Sequence, residues 1–432
     1  MILANFVLLG VFLVLLLIGT PVGVALGLAG AAAVAIGLDL DTVAMVGTNA
    51  YTSVAKYPLI TIPLFVLTGV IFERSGVAAR LVTFAQAIVG PRRGGLALVA
   101  TLVCMIMGGM SGSGPADAAA VATIMIPSML KAGYPRAFSA SVIAASASTA
   151  ILIPPSIALI VYSILVPGVD LRALFAAGLI PGVLAGVAIM LPTVLLSRRH
   201  DFGTAERADR PPFWPSFRAA VPGLLAPVII LGGLRSGLFT PTEAAVVAVA
   251  YGFLVGVVFY RNMGLAEIYR VLADAAETSA IIMIIISLSG LFAWAGSTLG
   301  AFDFMAREIL AVSDSGILVL LMVMAVLLFA GMILDGVSIY LITLPILVPI
   351  AMAFGWNLTW FGVLMAMNIA IGQFTPPVAV NLMVTARIAR IPIETTIPWI
   401  AWFMLSMGLA MLLVILVPEI ALWLPQVLGY RI

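Results

Sequence analysis

Charged side chains are scarce. Asp, Glu, Lys and Arg make up 9% of the 432 residues and 63% are hydrophobic, whereas a soluble domain carries about 25% charged residues. With a mean hydropathy of +1.25, the chain reads as an integral membrane protein. A span needs about 20 apolar residues, and the apolar segments leave room for roughly ten to twelve of them, a number suited to a transporter or channel core. Cysteine and histidine occur once each, as Cys104 and His200, which excludes an intramolecular disulfide and a Cys/His zinc site. Any bound cation must be held by oxygens. The only lysines, Lys56 and Lys131, follow Ala55 and Leu130, so there is no Gly-Lys of a nucleotide-binding Walker loop. A basic n-region is lacking before the first apolar run, which continues to about Leu38 without a cleavage site; the first span is expected to be retained.

The charge that exists collects in loops. The densest cluster runs from Ser197 to Arg218, where Arg198, Arg199, Arg207, Arg210 and Arg218 interleave with Asp201, Glu206 and Asp209. An arginine excess in a short loop faces the cytoplasm, and the interleaved acids argue against a nucleic-acid partner. This loop, 198–218, divides the chain into halves 1–197 and 219–432. Displacing residues 109–155 by 222 superimposes their punctuation without a gap. Gly109-Met110 falls on Gly331-Met332, Gly114 on Gly336, Pro127 on Pro349, Gly133 on Gly355, and Pro154-Pro155 on Pro376-Pro377. Such internal repeats are common in secondary transporters, where paired Gly/Pro-interrupted segments mark the binding site. Whether the halves are inverted or parallel is not legible in these residues.

Two pairs of interrupted segments follow from the repeat. In "GGMSGSGPADAA", residues 108–119, a polar break separates two apolar arms each shorter than a span, which predicts a re-entrant hairpin over about 94–131. Backbone that is not helical at membrane depth must line a cavity or be buried in protein. Ser111 and Ser113 offer hydroxyls, Gly112 and Gly114 permit a tight turn, and Pro115 suits the start of the next helix. For the serines, ion or substrate contact is preferred over helix capping. Asp117, in that helix's first turn, has two readings: partner of free N–H groups and the helix dipole, or an ion-related role. The second hairpin, about 315–354, has Asp335-Gly336 at its break, with Ser338 after it; an intramembrane carboxylate is a functional-site candidate, against the alternative of a loop aspartate at the membrane surface.

Each Pro-Pro removes helical donors and frees carbonyls one turn upstream, predicting broken helices over about 137–167 and 358–388. An unwound carbonyl beside a hydroxyl suits Na+. Ser146, Ser148, Thr149 and Ser156 surround the first break, and Gln373, Thr375 and Asn381 the second. An ordinary proline kink is the plainer alternative.

The stretches "GGMSGSGPADAAAVATIMIPSM", "ILIPPS", "GLFTPTEAAVVAV" and "GQFTPPVAVNL" together resemble the large membrane subunit of a tripartite ATP-independent periplasmic (TRAP) transporter, over essentially the whole chain. The resemblance implies an all-α polytopic fold of two inverted repeats, each with a hairpin and a Pro-broken helix, working by an elevator movement in the bacterial inner membrane. It implies a Na+-driven importer of organic anions such as C4-dicarboxylates or sialic acids, not an enzyme, with no organic cofactor. The implied partners are a separate small four-helix membrane subunit and a periplasmic substrate-binding protein, beside membrane lipid. Carried onto this chain, one Na+ site involves Ser111, Gly112, Ser113, Gly114, Thr149 and Pro154. A second involves Asp335, Gly336, Gln373, Thr375 and Pro376. The substrate carboxylate then sits between the two tips, near Ser113, Ser156, Ser338 and Asn381, where helix N-termini favour anions. Glu243 also matches a family motif, but capping explains it equally, and it is left out of the site.

Three rivals remain. A symporter working without a binding protein could use the same geometry, and a passive channel would show flux without Na+ coupling. Gly109-Met110-Ser111-Gly112 fits the Gly-x-Ser-Gly of intramembrane serine proteases, but the sole base candidate, His200, lies in the charged loop, and a dyad needs hydrogen-bond reach.

Overall fold

The computed structural model describes residues 2–38, 42, 44–203 and 210–432, so Glu206, Arg207 and Asp209 of the connecting loop lie outside the described residues. These form an all-α polytopic membrane protein with twenty α-helices. Helices α1 (Ile2–Leu17), α2 (Val22–Gly37) and α3 (Met45–Val54) lead to α4 (Thr61–Arg74) and α5 (Val77–Val89). The first interrupted pair follows: α6 (Gly95–Ser111) and α7 (Gly114–Lys131), then α8 (Arg136–Ala147) and α9 (Ile157–Leu165), with α10 (Leu171–Arg199) running to the connecting loop. Beyond it come α11 (Phe213–Arg235), α12 (Pro241–Phe253), α13 (Leu265–Thr298) and α14 (Ala301–Val312). The second interrupted pair is α15 (Gly316–Gly331) with α16 (Gly336–Ala353), and α17 (Leu358–Gly372) with α18 (Val380–Ala389). Helices α19 (Ile397–Leu416) and α20 (Glu419–Val427) close the chain.

Among the described residues, seven helices are long and apolar enough to cross a membrane, and seven shorter apolar helices of 10–17 residues accompany them. Four of the shorter ones, α6, α15, α17 and α18, belong to the interrupted pairs, where the backbone is divided. The divisions keep the spacing of the sequence repeat, since α7 and α16 begin at Gly114 and Gly336, and α8 and α17 at Arg136 and Leu358, each pair 222 residues apart.

Burial separates inner from outer helices. Every residue of α8 from Phe138 to Ala147 is buried, as is every residue of α17 from Thr359 to Gly372; a helix apolar on all sides belongs inside a protein or a membrane. By contrast α11, α12 and α13 keep two thirds of their apolar windows unburied, and Leu3, Phe6 and Leu17 of α1 point outward, as a lipid-facing surface requires. The helices that lead into the two Pro-Pro breaks therefore sit at the centre of the molecule. Close approach there depends on small residues: a Cβ added to Gly108 would meet the Ala150 backbone at 2.7 Å, and one added to Gly331 would meet Gly372 Cα at 3.2 Å. Each tip thereby seats against the break of its own half.

The connecting region is tied locally. Arg210 donates to the Ala87 carbonyl at 2.8 Å and Arg93 pairs with Asp201 at 2.9 Å. Glu243 completes a capping box with Thr240, accepting the Thr240 N–H at 2.8 Å while its own N–H donates to Thr240 Oγ1 at 3.4 Å. Capping accounts for this carboxylate.

Candidate functional site

The first tip is made by the two residues between α6 and α7. Gly112 has φ +61°, the left-handed region that glycine enters without penalty. A Cβ there would lie 2.6 Å from the Pro155 carbonyl oxygen and 3.1 Å from Ser156 Cα, so the tip presses directly onto the first Pro-Pro break. Ser111 ends α6, and its hydroxyl donates to Asp117 Oδ1 at 2.7 Å while accepting the Ser113 N–H at 3.2 Å. Asp117 is fully buried, and its Oδ2 has no hydrogen-bond partner. Its hydrogen bond goes to the Ser111 hydroxyl, not to free helix N–H groups. Ser113 is the N-cap of α7 but makes no capping bond, so its hydroxyl is free for another partner. Pro115 is the second residue of α7, one place later than expected.

The second tip differs in chemistry. Asp335 occupies the N-cap of α16, accepting the Val337 N–H at 3.1 Å, the Ser338 N–H at 3.2 Å and the Ser338 hydroxyl. It is half-buried, Ser338 fully so. The Met332 carbonyl accepts the N–H groups of Val378 at 3.1 Å and Ala379 at 3.3 Å. Ala379 is held at φ +50°, a conformation uncommon outside glycine, and nothing in its residue type pointed to it.

The breaks themselves are unwound. The first passes from a 3-10 turn, Ser148–Ile151, through Pro154-Pro155 to Ser156, which caps α9; the second runs from Gln373 to Ala379. Both Pro-Pro bonds are cis. Thr149 Oγ1 donates to the Ser146 carbonyl at 2.7 Å and Thr375 Oγ1 to the Ile371 carbonyl at 2.6 Å. Ser156 Oγ donates to the Ile151 carbonyl at 2.5 Å. Each hydroxyl spends its proton on backbone, and that of Ser156 also accepts the Leu159 N–H at 3.4 Å.

One juxtaposition crosses the halves. The position of a Cβ on Gly114 is 2.5 Å from Gln373 Oε1, 2.9 Å from Asn381 Nδ2 and 3.0 Å from Asn381 Oδ1. A Cβ on Gly336 would meet Ile369 first, one turn before Gln373 on α17, while Gly331 of the second tip packs on Gly372 beside Gln373. Gln373 also reaches the first tip. Both Gln373 Oε1 and Asn381 Oδ1 are buried without a hydrogen-bond partner, although Asn381 donates to the Ala144 carbonyl at 3.3 Å. Buried polar oxygens are normally satisfied, and two orphaned carbonyl-type oxygens against the first turn of α7 make a neutral oxygen pair suited to a small monovalent cation or a protonated ligand group. No group of three or more His, Cys, Asp or Glu that could hold a metal occurs among the described residues. The grouping of Ser113 with Asn381 across the halves is an expectation from the family resemblance; the approach of Gln373 to Gly114 is not, since no local pattern links two different repeats.

The protease alternative loses its geometry. Ser111 is bonded to Asp117, while the His200 ring lies against Phe202 and Trp399, each with centroids 5.4 Å away. His200→Ala is expected to leave solute uptake within about twofold of the parent, since loss of partly exposed aromatic contacts costs on the order of 1 kcal/mol of stability; a protease would lose all activity in a peptide-cleavage assay.

Residues 9–420 match the family model described as tripartite ATP-independent periplasmic transporter, DctM component. The chain is similar to the C4-dicarboxylate TRAP transporter large permease protein DctM of Pseudomonas aeruginosa, 38% identical over 405 residues and covering 94% of each protein. It is 36% identical over 420 residues to the uncharacterized protein YgiK of Salmonella typhimurium, covering 97% of this chain and 96% of that one. Among solved structures, the YdaH transporter of Alcanivorax borkumensis is alike with a TM-score of 0.62, covering 95% of this chain and 97% of the other at 15% identity, a likeness of fold alone.

Proposed function

Since the chain belongs to the DctM component family of tripartite ATP-independent periplasmic transporters, we propose that it is the large permease of a Na+-coupled importer of organic anions in the bacterial inner membrane, and not an enzyme. Carboxylates such as C4-dicarboxylates or sialic acids are its substrates; a P. aeruginosa relative is described as a C4-dicarboxylate permease. A small membrane subunit and a periplasmic binding protein are its partners.

A single observation carries the reading: Gly114 of the first tip meets Gln373 and Asn381 of the second break, whose buried side-chain oxygens are left unpaired. Na+ is the cargo that drives uptake. One ion is assigned to the first tip and break, through Ser111, Gly112, Ser113, Gly114, Thr149 and Pro154. The other is assigned to Asp335, Gly336, Gln373, Thr375 and Pro376, with Gln373 shared toward the first tip. The substrate carboxylate is placed among Ser113, Ser156, Ser338 and Asn381, where the start of α7 supplies a positive dipole end. The matched helix spacing supports a pair of repeats, taken here as inverted and moving as an elevator. Each net positive charge entering with the membrane potential contributes about 2.3 kcal/mol per 100 mV, roughly 50-fold accumulation, so two Na+ with a monoanion concentrate a scarce solute.

Asp117 is assigned the ion-related role through Ser111, whose hydroxyl links it to the Ser113 backbone. Asp117→Asn keeps an acceptor for Ser111 but removes the charge; the Na+ concentration for half-maximal uptake is expected to rise about tenfold, equivalent to ~1.4 kcal/mol. An unchanged Na+ dependence would leave Asp117 only its structural hydrogen bond. The reading as a whole is tested by uptake into proteoliposomes holding the chain and its small subunit, with Na+ and the binding protein varied independently. Uptake requiring both is expected. Flux indifferent to Na+ would favour the channel, and uptake without the binding protein the simpler symporter.

A further inference from the structure

Helices α3, α13 and α16 line an open cavity of about 400 Å³, within the range of small-molecule sites. Its polar wall consists of Ser53, Ser289, Tyr340 and one charged side chain, Lys56. The two serine hydroxyls are already donating, Ser53 to the Asn49 carbonyl at 2.7 Å and Ser289 to the Ile286 carbonyl at 3.0 Å. The other two donors are uncommitted. Tyr340 is fully buried and its hydroxyl has no hydrogen-bond partner, while Lys56 forms no ion pair among the described residues. Lys56 also lines a second cavity, of about 360 Å³, beside Thr61 and Thr242. No carboxylate lines either space.

A cavity with an unpaired ammonium, a free buried hydroxyl donor and no negative charge selects for an anion. Lys56 directly precedes the span Tyr57–Arg74, so the plainer fate of its side chain is to reach a lipid phosphate. The Tyr340 hydroxyl does not fit that fate, because the residue is buried in the cavity wall, away from the outer surface. Tyr340 stands five residues after Asp335 on α16, ~7.5 Å along the axis, which places the cavity next to the second tip.

We propose that this cavity is a carboxylate-accepting vestibule, distinct from the tips, in which the Lys56 ammonium and the Tyr340 hydroxyl hold one carboxylate of a small organic anion before it passes to the transport site. The proposal rests on the organic-anion reading above. Lys56 would then act as a specificity determinant, favouring acids whose carboxylate can reach it.

The test places a thiol in the cavity wall. Ser53→Cys is made in the full chain, reconstituted with its small subunit, with buried Cys104 as the unreactive internal control. Labelling rates are compared for anionic and cationic methanethiosulfonate reagents, with and without millimolar succinate. The anionic reagent is expected to react several-fold faster, and succinate to slow it. Lys56→Gln in the same background is expected to erase both effects, and Tyr340→Phe, which keeps the packing, to weaken succinate protection about tenfold. Equal labelling by the two reagents, or no protection by succinate while Na+-driven uptake of the substrate persists, overturns the vestibule and leaves the transport reading intact. Protection by succinate in protein that transports nothing would uphold the vestibule and sink the transport reading. A reagent preference seen in phosphatidylcholine vesicles and lost once phosphatidylglycerol is added assigns Lys56 to lipid headgroups and also overturns the proposal. If Lys56→Gln fails to insert, Tyr340→Phe alone decides.

Discussion

Valine in place of Gly114 is expected to stop Na+-driven uptake while the protein still reaches the membrane. The first Cβ atom already falls 2.5 Å from Gln373 Oε1 and 2.9 Å from the Asn381 amide, and valine adds two methyl groups beyond it. Overpacking of this kind costs about 1–3 kcal/mol, or roughly 5- to 150-fold in an affinity, and here it falls on the two side chains whose oxygens are unpaired. Alanine should produce a partial version, with uptake recovered at high Na+ if Gln373 and Asn381 can yield. Uptake at graded Na+, normalised to the amount of protein in the membrane, is the measurement. A valine variant with the parent's Na+ dependence would remove Gln373 and Asn381 from the site.

The second large effect separates charge from capping at Asp335. Leucine there deletes the acceptor for two N–H groups and the Ser338 hydroxyl, a loss worth about 0.5–2 kcal/mol for an N-cap, and uptake should vanish. Asparagine caps a helix as well as aspartate does but carries no charge. If the carboxylate helps to hold the cation, Asp335→Asn falls by tenfold or more in Na+ affinity with its thermal stability unchanged. Were the residue only a cap, asparagine would transport like the parent and leucine would show a lowered melting temperature with the Na+ affinity preserved in the folded fraction. The comparison of the two variants thus has a distinct outcome for each role.

The breaks were legible because their cause is local. Pro-Pro cannot continue a helix in any environment, and Gly112 can turn where other residues cannot, so the interruptions at 112–113, 154–155 and 376–377 follow from residue type. Helix capping was partly legible as well: Thr240 and Glu243 carry the three-residue spacing of a capping box, and the structure contains it. Ser113 and Asp335, by contrast, hold the same N-cap position in the two repeats and behave differently. Asp335 caps its helix and Ser113 does not, a distinction set by what surrounds each tip.

Composition alone decided that the chain lives in a membrane, and the repeated glycines and prolines decided where its helices break. Only the tertiary structure decided which break meets which tip. Gly114 and Gln373 are joined by the packing of α7 against α18 and the segment before it, and between helices in lipid the hydrophobic effect has no preference among partners. Close fits of small residues, such as Gly114 on Gln373 and Asn381 and Gly362 on Tyr162, select the arrangement instead. Those fits depend on surfaces assembled from both halves of the chain, and so the oxygens left unpaired between them are a property of the assembled fold.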